Sequence, residues 1–154
     1  MIIRPFEKKD AAGIADMDNA IWTEGILDII SPRSAKDILR YWNNGRNRII
    51  YVAEENHRIV GYITGNIERK ENNWDVFIKK GQRYLEIIYF YVLEKFRNKG
   101  VGAKLMRSIL KDAKGRKVKI FKVIASTKEL TRAVGFYERF GFKPYATKMR
   151  FRIK

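Results

Sequence analysis

The sequence predicts an α/β (α+β) fold, a mixed sheet with helices layered against it, and three observations carry that expectation. Apolar residues recur at helical spacing in some segments and at strand spacing in others, in the order β α α β β β α β α β. Strand and helix alternate from Tyr84 onward, which implies a partly parallel C-terminal section. The 154 residues are 45% hydrophobic and 13% aromatic, enough for a single domain over 1–154 whose core needs neither disulfide nor metal.

Taken in order, Ile2-Ile3-Arg4-Pro5-Phe6 reads as a strand, and Asp10 is placed to cap a helix through Ile14, Met17 and Ile21. Ser34 and Asp37 form a capping-box pattern ahead of Ile38, Leu39, Tyr41 and Trp42, with Asn43-Asn44-Gly45 as the stop. Between them, Trp22 to Ser31 reads as a mixed apolar loop or continued helix. Ile49-Ile50-Tyr51-Val52-Ala53 and Ile59-Val60-Gly61-Tyr62-Ile63 predict a hairpin. Arg69 to Gln82 is polar and reads as a loop or irregular strand extension. Tyr84 to Val92 is an apolar strand carrying one acid, Glu86. A helix over Gly100 to Ala113, a strand over Val118 to Ala125 and a helix from Glu129 to Phe140 follow, the last stopped at Gly141. Thr147 to Lys154 alternates strictly and predicts a final strand.

Composition narrows the chemistry. Without cysteine there is no disulfide scaffold, thiolate zinc site or cysteine nucleophile, and one histidine, His57, argues against multi-histidine metal sites and triads, so no metal is expected. No apolar run reaches the roughly 18 residues of a membrane span, and the first residues lack a secretory core, so a soluble cytoplasmic protein with no membrane contact is expected. The formal net charge of +16 points to anionic partners. It is unevenly spread: Met1 to Leu93 carries +1 and Glu94 to Lys154 carries +15.

The segment Val92-Leu93-Glu94-Lys95-Phe96-Arg97-Asn98-Lys99-Gly100-Val101-Gly102-Ala103 lies between a buried strand and a helix, where backbone N–H groups and the helix dipole hold anions. It is no nucleoside-triphosphate loop, since G-x-x-x-x-G-K-[ST] is absent, and Leu105 stands where a dinucleotide fingerprint has its third glycine. Taken alone, Gly100-x-Gly102 is a weak signal and reads better as a tight strand-to-helix turn.

In context, Val92, Arg97, Gly100 and Gly102 spell the Val-x-x-x-x-Arg-x-x-Gly-x-Gly pattern, which resembles motif A of the GNAT superfamily of acetyl-CoA-dependent N-acetyltransferases. Ala133-Val134-Gly135-Phe136-Tyr137-Glu138-Arg139-Phe140-Gly141-Phe142 is similar to that family's A-x-x-[LF]-Y-x-x-x-G-F segment, and Ile3-Arg4-Pro5 with Asp10 resembles its N-terminus. The resemblance implies a single three-layer domain with a central mixed sheet of about six or seven strands and about four helices. It also implies acetyl-CoA as co-substrate, held by Phe90, Tyr91, Val92, Arg97, Asn98, Lys99, Gly100, Val101, Gly102 and Ala103. A backbone N–H at Val92 would polarise the thioester carbonyl, and a splay after Val92 would free Phe90 to Val92 to pair with pantetheine. Leu130 departs from the pattern, standing where many members have an Asn that contacts the cofactor; Ser126 or Thr127 is the candidate substitute.

Acetyl transfer needs a base for the amine and a proton for the departing sulfur. Glu86, alone among apolar residues, is the candidate base, at a spacing of 11 before Arg97 that resembles the glutamate base of the histone-acetyltransferase branch. The plain alternative is an acid at a strand end, exposed or paired with Arg83. By the same resemblance Tyr137 is the candidate acid, its alternative a core aromatic among Phe136, Phe140 and Phe142. Lys104 and Arg107 are candidates for the cofactor's 3′-phosphate or simply a solvated face. Trp22, Glu24 and Trp74 are the candidate acceptor-binding residues, in the irregular segments of the near-neutral half.

The expected function is acetyl transfer to a primary amine of a protein, peptide or small molecule by direct ternary-complex transfer, in a monomer or homodimer. Two alternatives stand beside it. One is an RNA- or ribosome-associated protein whose basic half docks on an acidic macromolecular partner. The other is a CoA-binding domain without turnover.

Overall fold

The computed structural model describes residues 1–23, 34–42, 45–71, 77–125 and 130–145, with only the backbone at 21–23. Two compact units result, Met1–Ile124 and Ala125–Lys154. The first holds a sheet of five strands in spatial order β1-β2-β3-β4-β5: β1 (Ile2–Pro5), β2 (Arg48–Glu55), β3 (Arg58–Arg69), β4 (Arg83–Val92) and β5 (Ile120–Val123). Neighbours are antiparallel up to β4, and β5 lies parallel to it. The strand count is thus five among the described residues, not six or seven, because the tail expected as a last strand lies outside them. Among the described residues the first unit also holds three helices, α1 (Ala11–Thr23), α2 (Ala35–Trp42) and α3 (Val101–Gly115), and the second unit holds α4 (Leu130–Glu138).

Local chemistry explains the elements. Asp10 ends a short 3-10 turn just before α1, where its buried carboxylate accepts two hydrogen bonds of 2.7 Å from Arg4 and one of 2.8 Å from the Glu7 N–H. Arg4 also reaches Glu54, tying β1 to β2. At α2 the Ser34–Asp37 box forms as expected: Ser34 N–H donates to Asp37 at 2.9 Å and Asp37 N–H donates to Ser34 Oγ at 3.2 Å. The β2–β3 turn is Asn56-His57, both with positive φ (48° and 59°), the geometry whose twist matches a hairpin. His57 is fully exposed there.

Alternation sorts the sheet's two faces. Gly61, Ile63, Gly65 and Ile67 turn toward α3, which buries Val101, Leu105, Met106, Ile109 and Ala113. Val52, Tyr62 and Tyr91 turn to the opposite face and form one core with Ala11, Ile14, Ala15 and Met17 of α1 and Ile38 and Trp42 of α2. Within this core the Tyr62 hydroxyl donates to the buried Asp18. Burying each such aliphatic side chain is worth about 1.5–3 kcal/mol, so the two layers clamp the sheet between them.

One irregularity positions the site. Thr64 pairs with Tyr89 but Gly65 pairs with Ile87, so Ile88 is an extra residue in β4. Before it Leu85 and Ile87 face α3; after it Phe90 and Val92 do, and Tyr89 and Tyr91 share the face of Glu86.

Candidate active site

The two faces meet the strand-to-helix turn at the end of β4. β5 pairs with β4 only from Tyr84↔Ile120 to Ile87↔Val123, so the edge of β4 from Ile88 to Val92 has no β5 partner. Among the described residues Ile87 is thus the last β4 residue paired with β5, one residue before the bulge, and marks the parting point of their ladder. Val92 packs against Gly61 and Leu105, Tyr91 is buried, and Phe90 is half-buried.

Beyond Leu93, a 3-10 turn over Glu94–Phe96 leads to Arg97 in extended conformation. Arg97 Nε donates to the Val92 carbonyl at 2.9 Å, and its guanidinium carbon lies 5.3 Å from the Tyr91 ring centroid. Arg97 thus locks the end of β4. Asn98 (φ 61°) and Gly100 (φ 79°) both take left-handed conformations. Gly100 is the N-cap of α3, and no side chain caps it. The N–H groups of the first helical turn, at Val101, Gly102 and Ala103, are those an anion can reach. Asn98, Lys99 and Gly100 are exposed, whereas the Val101 side chain is buried, so Val101 contributes backbone alone. A helix start that no side chain caps, opened by a left-handed glycine, fits an anionic group such as a pyrophosphate. Lys104 and Arg107 are exposed on α3.

Glu86 stands one residue before the parting point. It is not immersed in apolar surroundings: its side chain is 22% exposed, and Lys122 Nζ lies 3.4 Å from Oε1. The partner is Lys122 of β5 and not Arg83, which donates to the Arg116 carbonyl. Around Glu86 the structure adds residues that sequence reasoning missed. Asn66 pairs with Glu86 across β3, and Arg48 pairs with Asn66 across β2, its Nε donating to Asn66 Oδ1 at 2.8 Å. Arg48 also donates to the Tyr41 carbonyl and lies 4.6 Å from that ring's centroid. Tyr41 in turn meets Tyr89 edge to face at 6.2 Å. Only strand register could have revealed this set.

In the second unit, Tyr137 of α4 packs edge to face on Phe136 at 5.5 Å and on Phe142 at 5.7 Å. Burial pushes its hydroxyl pKa up to about 12, so the phenol remains a proton donor at neutral pH. Leu130 is the exposed first residue of α4. Ser126, Thr127, Glu24 and Trp74 lie outside the described residues, as does the Trp22 side chain.

Helices thus cover both faces of a mixed sheet, and an anion-ready turn leads from β4 into α3. The chain belongs to the Acetyltransferase (GNAT) family, whose profile matches residues 14–142. No curated protein matches the sequence. Among solved structures it is similar to glucosamine-6-phosphate N-acetyltransferase from Arabidopsis thaliana, at 19% identity and TM-score 0.74, covering 99% of this chain and 98% of that one. A predicted acetyltransferase with acetyl-CoA from Clostridium acetobutylicum matches at 21% identity and TM-score 0.72, covering 98% of this chain and 95% of the other. An aminoglycoside antibiotic 6'-N-acetyltransferase from Acinetobacter haemolyticus matches at 17% identity and TM-score 0.75, covering 100% and 99%. At these identities the likeness is one of fold.

Proposed function

We propose that residues 1–154 act as one N-acetyltransferase domain that moves an acetyl group from acetyl-CoA to a primary amine of a protein, peptide or small molecule. The observation that carries this reading is the turn from β4 into α3, where Arg97 holds the Val92 carbonyl and a left-handed Gly100 that no side chain caps opens the helix, with Glu86 on the same strand.

Acetyl-CoA supplies an activated thioester, whose carbon–sulfur bond gives way to the carbon–nitrogen bond of the product amide. The main chain from Phe90 to Val92 binds the pantetheine arm as an added strand would, and the Val92 N–H polarises the carbonyl. Arg97 to Ala103 hold the pyrophosphate, chiefly through backbone N–H groups. Glu86 takes the proton lost by the attacking amine, and Tyr137 gives one to the departing sulfur; solvent then restores both. The chain has no cysteine, which favours direct transfer within a ternary complex.

The test is thiol release from acetyl-CoA across a panel of amines and peptides, with Glu86→Gln and Tyr137→Phe beside the parent. Losses of about ten-fold or more are expected for each. Changes of less than a few-fold in both refute these roles. A second reading, docking on RNA, draws on the exposed Lys104, Arg107, Lys111 and Lys114, which line one face of α3. Salt-sensitive RNA binding that survives saturating CoA, without thiol release, would favour it.

A further inference from the structure

Four polar side chains stand in register across four adjacent strands: Arg48 of β2, Asn66 of β3, Glu86 of β4 and Lys122 of β5. They share the sheet face that carries α1 and α2. All four are half-buried. The row is tied together before any ligand arrives, by Arg48 Nε on Asn66 Oδ1 at 2.8 Å and by Lys122 Nζ 3.4 Å from Glu86 Oε1. Along β4, Tyr84 and Tyr89 flank Glu86 on this face, the second brought there by the bulge. Lys122 Nζ lies 5.9 Å from the Tyr84 centroid, and Arg48 caps the Tyr41 ring.

The sequence of charges across the sheet is therefore plus, neutral, minus, plus. An amine reaching Glu86 arrives mostly as an ammonium and competes with Lys122 for one carboxylate. A bare alkylamine or diamine displaces that ion pair, leaves Lys122 without a counter-charge and adds a cation between two others. An amine that also bears an anionic group exchanges one ion pair for two. Its ammonium meets Glu86, flanked by tyrosine rings, and its anion meets Lys122 or Arg48. Strand spacing puts Lys122 about 5 Å and Arg48 about 10 Å from Glu86, backbone to backbone. Partial burial strengthens each of these pairings over its value in open water.

We infer that the row Arg48–Asn66–Glu86–Lys122 is the acceptor-reading floor of this enzyme, and that its acceptor is a primary amine carrying a carboxylate or phosphate within about 5–10 Å of the reacting nitrogen. The inference rests on the acetyltransferase reading and adds the substrate class to it. Arg48 and Lys122 select the substrate; Glu86 keeps its place in the chemistry.

Matched acceptors test it: lysine against cadaverine, and phosphoethanolamine against ethanolamine, each followed by thiol release at low ionic strength. The acid-bearing member of at least one pair should show a kcat/KM at least about ten-fold higher, carried by KM. The pair that shows it tells carboxylate from phosphate. Arg48→Gln and Lys122→Gln should each raise KM for that acceptor with a smaller change in kcat. Arg48→Lys should restore part of the preference, an effect that a merely structural role for Arg48 would not produce. Diamine turnover equal to or better than that of the acid-bearing amines overturns the inference and leaves the acetyltransferase reading standing. A preference unchanged in both Gln variants overturns its assignment to this row. Absence of thiol release with every amine overturns the acetyltransferase reading, and this inference with it.

Discussion

Gly65→Ala should push β4 away from β3 beside Glu86. A Cβ on Gly65 would lie 3.0 Å from the Glu86 carbonyl oxygen, 3.0 Å from Leu85 Cδ1 and 3.2 Å from Ile109 Cδ1. Leu85 and Ile109 are fully buried and have nowhere to swing, and the carbonyl belongs to the sheet itself. Carbon contacts are comfortable from about 3.5 Å, so the strands and α3 must yield by roughly 0.5 Å. Overpacking of that kind costs about 1–3 kcal/mol, or about 2–12 °C in Tm for a chain of this size. A 1 Å misplacement at a reacting centre can cost about 100-fold, so a shift half that size should lower kcat on the order of ten-fold. Thermal melting and thiol release at saturating acetyl-CoA measure both effects. Gly61→Ala gives the comparison: its Cβ would meet the Tyr91 carbonyl at 3.1 Å and Val92 Cγ2 at 3.2 Å, so its kinetic effect should fall on KM for acetyl-CoA. If Gly65→Ala keeps Tm within about 1 °C and kcat within about two-fold, the close approach of β3 and β4 is not what requires glycine.

Gly100→Ala should raise KM for acetyl-CoA several-fold with kcat little changed, because φ is 79° and, among the described residues, nothing beyond its own chain neighbours lies within 4 Å of the new Cβ. Its cost is purely conformational, about 1–2 kcal/mol, and is read by initial rates against acetyl-CoA concentration. In the parent, the pH–rate profile should show no descending limb from Tyr137 at neutral to mildly alkaline pH, since its phenol titrates near 12. A limb that disappears in Tyr137→Phe would contradict that burial. Burial pushes the Asp10 carboxyl up, but hydrogen bonds from Arg4 and the Glu7 N–H bring it below its ordinary value. Its stabilisation is thus fully present above the unfolded value near ~3.9 and is lost as pH falls through the lower folded value. Asp10→Ala should cost about 1–3 kcal/mol at pH 7 in urea unfolding, since Arg4 keeps Glu54 as a partner, and flatten the acid limb of stability.

The parts of this molecule legible in the sequence are those whose signal is local. Ser34 and Asp37 announce α2 because a capping box is contained in four residues. Arg97, Gly100 and Gly102 announce the turn because left-handed backbone and close approach restrict residue choice. Glu86 stands out as a lone acid in an apolar strand, but its partner does not: Lys122 lies hidden in the basic run from Lys111 onward. Arg48 and Asn66 give no signal at all, being ordinary polar residues until register sets them in line with Glu86. The bulge was equally silent, since Ile88 is as apolar as its neighbours. It lies one residue beyond the last β4–β5 pair, Ile87↔Val123.

That single extra residue also makes the pairing of β4, and not only its composition, decide which side chains reach which layer. If Ile88 instead took a regular place opposite Thr64, with no residue removed, the faces of everything after it would exchange. Tyr89 and Tyr91 would turn toward α3, and Phe90 and Val92 toward α1 and α2. Every side chain would survive in kind, yet the acid and the cofactor edge would address the wrong layers. A relative one residue shorter here and without the bulge would present the same faces, so it is the pairing with β3, and not the residue count alone, that decides which layer each side chain after Glu86 addresses.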